Sequence, residues 1–173
     1  MARKSSLSGF PEWLPQERLV ELHVLDTLRE AFELHGFSSI ETRAVETVGQ
    51  LLRKGEVDKE VYAVSRLAED QEVAEGVREP TDPSDPKRLA LHFDLTVPFA
   101  RVCARSGHLR LKRFDIADVY RENLLAGGQP RAVLAASYDI VSPEADFTSE
   151  AEVLGVLDEL LEIPGLAGNP WEI

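Results

Sequence analysis

Residues 89–101 read LALHFDLTVPFAR, a mostly apolar stretch with polar side chains at intervals. The alternation of apolar and polar residues over Leu89–Thr96 predicts a buried strand. Pro98 is a favoured residue for the first turn of a helix, so a helix is predicted over Val97–Ser106. Asp94 therefore falls near the end of a buried strand, a position from which a polar side chain can face a cavity.

One strongly periodic segment precedes this stretch. Apolar residues recur at three- and four-residue steps from Gln16 to His35, which is typical of an amphipathic helix. Gly36 follows the last apolar turn and suits the first position beyond a helix. Residues 66–88 hold three prolines and seven acids and predict a solvated, flexible acidic insertion. The shorter elements predicted in between are a strand over Phe37–Thr42, a helix over Val45–Lys54 and a strand over Val57–Val64.

Two long strands and a helix are predicted after residue 106. Ser149 and Glu152 have the spacing of a capping box, so the helix is expected to start at Ser149. The order of elements lacks a regular strand–helix–strand alternation and favours an α+β fold with antiparallel strands in one sheet. The predicted strands cover Arg110–Arg121 and Ala132–Val141, with a turn over Leu124–Pro130.

The length of 173 residues predicts one domain. Within it, we expect an arm over 1–15, a core over 16–163 and an irregular tail over 164–173. The chain has 31 acidic and 19 basic side chains, giving a net charge of −12. This balance argues against a polyanion-binding surface spread over the molecule, but it is compatible with a local basic site.

The cysteine and histidine content excludes several kinds of site. Cys103 is the only cysteine, which rules out an intrachain disulfide and a cysteine-based zinc site. The four histidines do not cluster by spacing, so no metal site is predicted.

There is no apolar run long enough for a membrane span and no signal-peptide pattern, and we expect a cytoplasmic protein.

Two sets of polar residues are candidates for a binding site. Asp94 and Asp139, with the hydroxyl of Thr96, suit an ammonium group, because paired carboxylates accept several N–H bonds. Arg121 and Arg131 flank the predicted turn and can hold a phosphate group between two guanidinium groups. Spacing alone leaves a structural alternative for each set, namely ordinary strand-end carboxylates and exposed hairpin arginines.

Four segments together resemble the histidyl-tRNA synthetases, which have the class II synthetase fold. The most specific is LALHFDLTVPFAR, which is similar to the family segment that holds the amino group of histidine. The other three are LVELHVLDTLREAFELHGFSSIETRAVE, similar to the motif 1 region, DKEVYAV, similar to the strand after it, and VYRENLLAGGQPRAVLAASYDIV, at the place of motif 2. The resemblance implies an antiparallel sheet flanked by helices, and it covers only the first part of a synthetase.

The resemblance also implies roles for single residues. Asp94 and Thr96 match the positions that bind the α-amino group of the substrate, and Asp139 matches an acid of the same pocket. Arg121 matches the catalytic motif 2 arginine that grips the α-phosphate of ATP. Arg131 matches a basic ATP-site residue on the returning strand of the motif 2 hairpin.

The motif 2 segment departs from the family pattern at several positions. Asn123 replaces an acid of the family pattern, and Leu124 and Gln129 each replace an arginine. Pro130 replaces a tyrosine, and Ala135 replaces a glutamine. Motif 3, the histidine-specific loop and the anticodon-binding domain are also expected to lie outside these 173 residues. Much of the chemistry that handles ATP and the tRNA acceptor end is therefore missing.

The resemblance leaves two functions open. One is a synthetase-like core fragment that binds histidine and ATP with Mg²⁺ for adenylate formation, with weak or no activity alone. The other is a non-catalytic paralogue that acts as a regulatory amino-acid-binding subunit or a dimerisation module. Either implies a homodimer or pairing with a synthetase-like partner chain, and contact with tRNA is not expected from this chain alone.

Overall fold

The computed structural model describes residues 7–52, 61–77, 82, 85–107, 110–122, 131–143 and 147–162. The helices among these residues are α1 (Pro15–Leu34), α2 (Val48–Leu51), α3 (Leu67–Ala74), α4 (Thr96–Ser106) and α5 (Phe147–Leu161). The strands are β1 (Ser38–Ser39), β2 (Val45–Thr47), β3 (Ala63–Val64), β4 (Leu89–Leu91), β5 (Leu111–Tyr120) and β6 (Ala132–Val141).

The strands form two three-stranded sheets. One has the order β2-β4-β3 and is antiparallel, with Val45 opposite Leu91 and Ala63 opposite Ala90. The other has the order β1-β5-β6, and its short strand β1 runs parallel to β5. The mixed helix-and-sheet class with an antiparallel sheet is confirmed, and the parallel β1–β5 pair is an addition that the sequence pattern did not predict.

The chain divides into two compact units. Unit one comprises Met1–Pro11, Glu41–Arg105 and Ile116–Ala136, and unit two comprises Glu12–Ile40, Ser106–Asp115 and Ser137–Ile173. Strands β5 and β6 each run from one unit into the other along the chain.

Unit one has its apolar core where β4 leads into α4. Leu51, Ala90, Phe93 and Val97 form one buried cluster, against which the partly buried Val48 and Val61 pack. Three of these four residues lie in or beside the 89–101 stretch. Its apolar positions therefore form the core of this unit, as the strand and helix predictions implied.

Unit two has an aromatic core. The ring of Phe32, on the buried face of α1, stacks on Phe114 of β5 with centroids 5.0 Å apart and lies 5.1 Å from the ring of Tyr138 of β6. Phe37 packs against both Phe32 and Tyr138. Aromatic pairs at these separations add about 0.5–1.5 kcal/mol each beyond the burial of their area.

The long first helix is confirmed in position and in its ends. Pro15 occupies its first turn, and the carboxylate of Glu17 accepts a hydrogen bond from the amide of Leu14 at 2.9 Å. Gly36 has a φ of +77°, and the amide of Phe37 donates to the carbonyl of Phe32 at 2.9 Å. This is the glycine-terminated helix end that the sequence predicted.

Five predicted elements are wrong in extent or type. The strands expected over Phe37–Thr42 and Leu89–Thr96 are shorter than predicted, since they cover Ser38–Ser39 and Leu89–Leu91. The helix expected over Val45–Lys54 is instead β2 followed by the single turn of α2, because β2 pairs with β4 and this pairing outweighs the local helical pattern. The loop expected over 66–88 contains helix α3, whose residues have good helix propensity. Helix α5 begins at Phe147, so Ser149 lies inside its first turn and is not its cap.

Other predictions fall partly or wholly outside the described residues. Of the strand expected over Val57–Val64, the structure describes the last part and shows a strand at Ala63–Val64. The turn over Leu124–Pro130 and the tail over 164–173 lie outside the described residues. The division into arm, core and tail stays a prediction.

A buried ion cluster links β2 to α4 within unit one. The carboxylate of Glu46, whose side chain is fully buried, receives hydrogen bonds from Arg43 at 2.7 Å and from Arg101 at 2.6 Å. Burial alone would raise the pKa of the Glu46 carboxyl, but the hydrogen bonds from Arg43 and Arg101 outweigh it and hold this pKa below its usual value.

We predict that Glu46→Gln lowers the free energy of unfolding at pH 7 by about 1–3 kcal/mol, because Arg101 loses its buried counter-ion. The native pKa of Glu46 is lowered, so its contribution is complete above the unfolded-state pKa of about 4.3 and is lost as the pH falls through the native pKa. Urea unfolding between pH 7 and pH 3 should therefore show a smaller acid-induced loss in the variant than in the parent chain. Glu21→Gln, which removes an exposed ion pair with Arg18, serves as the control and should change little.

Candidate functional site

The turn between β4 and α4 is fixed on both sides by its backbone. The amide of His92 donates to the carbonyl of Ala44 at 2.9 Å, and its carbonyl accepts from the amide of Tyr120 at 3.0 Å. The Nε2 atom of the buried His92 ring lies 2.7 Å from the carbonyl oxygen of Asp118. These bonds hold the start of the 92–96 turn against the end of β5 within unit one.

Asp94 caps helix α4. Its Oδ1 atom accepts a hydrogen bond from the amide of Val97 at 3.1 Å, and its side chain is buried. A carboxylate at this position also interacts favourably with the positive end of the helix dipole. Thr96 is the first residue of α4 and is exposed. Part of the role of Asp94 is therefore structural, in agreement with the alternative that spacing left open.

Arg121, directly after β5, is anchored beside this turn. Its Nε atom donates to the carbonyl of Phe93, the residue before Asp94, at 2.8 Å. The backbone amide of Arg121 donates to the carbonyl of Arg131 at 2.9 Å. This bond places the residue after the end of β5 beside the residue before the start of β6. Unit one thus brings the segment of Asp94 and both candidate arginines together.

A carboxylate that the sequence reasoning missed lies among these residues. Oε1 of Glu122 pairs with the guanidinium of Arg131 at 2.8 Å, and its Oε2 accepts a hydrogen bond from the hydroxyl of Tyr62. Burial and this hydrogen bond raise the pKa of the Tyr62 phenol, so the phenol is the donor at neutral pH. The available signal was an acid next to Arg121 at the base of a predicted hairpin, where opposite charges on neighbouring strands pair.

Asp139 lies in β6, in the part of this strand that belongs to unit two. Its carboxylate forms an ion pair with Arg113, whose side chain is fully buried. A buried guanidinium needs such a partner, because an unpaired charge in the interior is strongly unfavourable. Asp139 therefore has a structural role in unit two, and its predicted role toward an ammonium group stays a prediction.

The guanidinium group of Arg121 has the chemistry to bind a phosphate group. Arg121 can offer its terminal nitrogens to a phosphate in a planar, two-pronged arrangement. Among the residues that the structure describes, no three or more His, Cys, Asp or Glu side chains come together in a way that could hold a metal ion. None of the described helices is long and apolar enough to cross a membrane.

Known proteins similar to this chain are histidine–tRNA ligases. The ligase of Micrococcus luteus is 63% identical over 168 residues, which cover 91% of this chain and 37% of that protein. The ligase of Bifidobacterium longum is 49% identical over 144 residues, covering 82% of this chain and 29% of that protein. No family model matches the chain.

Solved structures agree with these sequence relatives. A crystal structure of histidyl-tRNA synthetase from Nostoc sp. PCC 7120 matches with a TM-score of 0.71 and 29% identity, covering 92% of this chain and 34% of that one. An ATP phosphoribosyltransferase regulatory subunit/histidyl-tRNA synthetase from Bacillus halodurans matches with a TM-score of 0.73 over 96% of this chain and 40% of that one. At 18% identity, the second match shows the fold alone.

The chain is therefore homologous to histidine–tRNA ligases over most of its length, and the resemblance predicted from its sequence is confirmed. It spans about a third of the length of the relatives it matches.

We predict that Asp94→Ala lowers the free energy of unfolding by about 0.5–2 kcal/mol, because α4 loses its capping carboxylate. Asp94→Asn should stay close to the parent chain, since asparagine caps helices about as well as aspartate. Urea unfolding followed by circular dichroism at 222 nm measures both. Equal stability of the alanine variant and the parent would show that the Val97 amide is satisfied in another way.

Proposed function

We propose that this chain is a histidyl-tRNA synthetase-like core fragment that binds histidine and ATP. The proposal rests on the homology to histidine–tRNA ligases. The observation that carries it is the hydrogen bond from Arg121 to Phe93, which joins the proposed phosphate-binding arginine to the segment of Asp94 and Thr96. An amino acid and an ATP α-phosphate must lie next to each other for an adenylate to form, and this contact gives their proposed ligands that proximity.

In this proposal, each residue acts through its ordinary chemistry. Asp94 and Thr96 accept hydrogen bonds from the α-ammonium group of histidine. The guanidinium of Arg121 binds the α-phosphate and stabilises the charge that grows on it as a carboxylate oxygen of histidine attacks the α-phosphorus and pyrophosphate leaves. Arg131 supplies a second positive charge to the phosphates of ATP.

The proposal includes weak or absent catalysis by this chain alone. Ala135 stands where the family pattern has a glutamine, and a missing hydrogen-bond partner in a buried site costs about 1–3 kcal/mol. Mg²⁺ would accompany ATP as in class II synthetases, but no group of acids among the described residues is arranged to hold it. We therefore assign no step to a protein-bound metal. A cytoplasmic location, as expected from the sequence, belongs to the same proposal.

The test of the proposal is histidine binding by isothermal titration calorimetry. We expect the parent chain to bind histidine and Asp94→Asn to bind it at least about tenfold more weakly, because asparagine keeps the cap but loses the charge that attracts the ammonium group. Histidine-dependent ATP–pyrophosphate exchange should lie near background. Exchange that Arg121→Ala abolishes would show that the fragment still activates histidine.

The proposal would be contradicted if the parent chain, shown by circular dichroism to be folded, did not bind histidine. Binding that is equal in the parent chain and Asp94→Asn would instead place the amino-acid site elsewhere. Titration with alanine in place of histidine is the ligand control, since it carries the same ammonium and carboxylate groups.

We further propose that the chain pairs through the N-terminal half of α1, either as a homodimer or with a synthetase-like partner chain. The residues of this half are largely exposed, whereas Leu25, Ala31 and Phe32 of the second half are buried. Leu19 and Val20 are about two-thirds exposed, and Trp13 and Leu14 precede them at the helix entrance with their side chains also exposed. Apolar side chains that cluster at one exposed end of a helix are typical of an interaction surface.

We predict that Leu19→Lys raises the dimer dissociation constant at least about tenfold, because it places a charge in the apolar surface. Sedimentation velocity over a range of concentrations measures this constant. The matched control is Leu154→Lys, which alters a comparably exposed leucine of α5 and should leave the constant unchanged. A parent chain that is monomeric at all concentrations would contradict pairing with itself.

The second candidate function is a regulatory, non-catalytic paralogue that keeps the amino-acid pocket. The observation that favours it is the replacement of the motif 2 residues at Asn123, Leu124 and Ala135, which handle ATP and the amino acid in the family pattern. Histidine binding without ATP binding and without exchange would support this candidate over a catalytic fragment.

A further inference from the structure

Four contacts form a closed ring around Arg131 in unit one. The guanidinium of Arg131 forms an ion pair with Glu122, and the Glu122 carboxylate accepts a hydrogen bond from the hydroxyl of Tyr62. The ring of Tyr62 packs edge-on against Phe10, with the centroids 6.3 Å apart. The carbonyl of Gly9, next to Phe10, accepts a hydrogen bond from the amide of Arg131 at 2.6 Å, which closes the ring of contacts.

Both carboxylate oxygens of Glu122 are engaged in this ring. Oε1 pairs with Arg131 at 2.8 Å, and Oε2 accepts from Tyr62. The hydroxyl of Tyr62 therefore orients the carboxylate and keeps its other oxygen directed at the guanidinium. The pair is partly accessible to solvent, because the side chains of Arg131 and Glu122 are 39% and 26% exposed. An anion from solution can thus reach Arg131 and compete for it.

The backbone at Gly9 holds the aliphatic part of the Arg131 side chain in place. Gly9 has a φ of +83°, and a Cβ atom at this position would lie 2.6 Å from Cγ of Arg131 and 2.8 Å from its Cδ. Only glycine allows the aliphatic stem to lie this close to the arm backbone. The backbone at Gly9 therefore sets the direction from which the guanidinium of Arg131 approaches Glu122.

We propose that Glu122 is an internal competitor for Arg131, held in place by Tyr62, so that a phosphate-bearing ligand gains Arg131 only by displacing this carboxylate. The inference rests on the proposed function, in which Arg131 contacts the phosphates of ATP. It adds a positioning residue, Glu122, which sets how strongly the site binds such ligands.

The chemistry follows from the donor geometry of arginine. A guanidinium pairs with a carboxylate or a phosphate through the same planar set of N–H groups, so the two anions exclude each other at one face. An incoming phosphate also meets the negative charge of Glu122 at close range, which weakens its binding further. Neutralising Glu122 removes both effects, whereas a purely structural role for Glu122 predicts weaker binding upon its loss.

The test is the binding of inorganic tripolyphosphate, measured by calorimetry at low ionic strength. We expect Glu122→Gln to bind it about three- to tenfold more tightly than the parent chain, with glutamine still able to accept the Tyr62 hydroxyl. Tyr62→Phe, which frees the carboxylate to move, should produce a smaller gain of the same sign. Adding Arg131→Gln to Glu122→Gln should remove the gain.

Equal or weaker binding by Glu122→Gln than by the parent chain would overturn the inference, and so would the absence of binding by any variant. The matched control is Glu159→Gln, which removes a carboxylate paired with His35 in unit two and should leave the affinity unchanged. A gain in Glu159→Gln equal to that in Glu122→Gln would mean that only net charge matters, and would also overturn it.

Histidine binding separates this inference from the proposed function. If histidine does not bind but Glu122→Gln still tightens tripolyphosphate binding in an Arg131-dependent way, the proposed function fails and the competition stands. If histidine binds and Glu122→Gln has no effect on tripolyphosphate, the competition fails and the proposed function stands.

Discussion

The backbone of His92 is the point on which the arrangement of unit one depends. Its amide and carbonyl bond to Ala44 and Tyr120, two residues far apart in the chain, and the next two residues bring Phe93 into the core and Asp94 under α4. A displacement of this residue would break the sheet ladder, the helix cap and the anchor of Arg121 together. The apolar cluster around Phe93 supplies the burial that offsets the entropy of ordering this turn.

Charged groups inside both units are placed in pairs, and this limits what the candidate site residues can do. Glu46 lies between two arginines, Arg113 has Asp139, and Arg131 has Glu122. Burying a charge without a partner costs far more than such a pair contributes, so the pairs of Glu46 and of Asp139 compensate buried charges whatever else these carboxylates bind. The pair of Glu122 and Arg131 is partly accessible to solvent and is less costly to separate. Asp139 shows the consequence, because the carboxylate predicted for an ammonium group is also the counter-ion of a buried guanidinium.

Sequence patterns predicted the elements whose periodicity is long and whose ends carry chemical signals. Helix α1, which ends just before Gly36, and the two ten-residue strands are of this kind. Short elements were missed or mistaken because pairing decides them: Val45–Thr47 is a strand through its bonds to β4, and no local pattern records that partner. Of the site, the residue types and the segment of Asp94 were predictable, whereas the cap on Val97 and the contact from Arg121 to Phe93 depend on tertiary geometry.

The network of Tyr62, Glu122 and Arg131 illustrates why a family resemblance and the physical setting of a residue must be considered together. The resemblance gives Arg131 a phosphate-binding role, but the structure shows its charge compensated by a carboxylate from the opposite hairpin arm. The net charge of −12 already repels anions in solution, and the carboxylate of Glu122 adds to this repulsion directly at Arg131. In the proposed competition, a ligand must offer more than one contact at once to displace the carboxylate, and a nucleotide meets this condition better than free phosphate does.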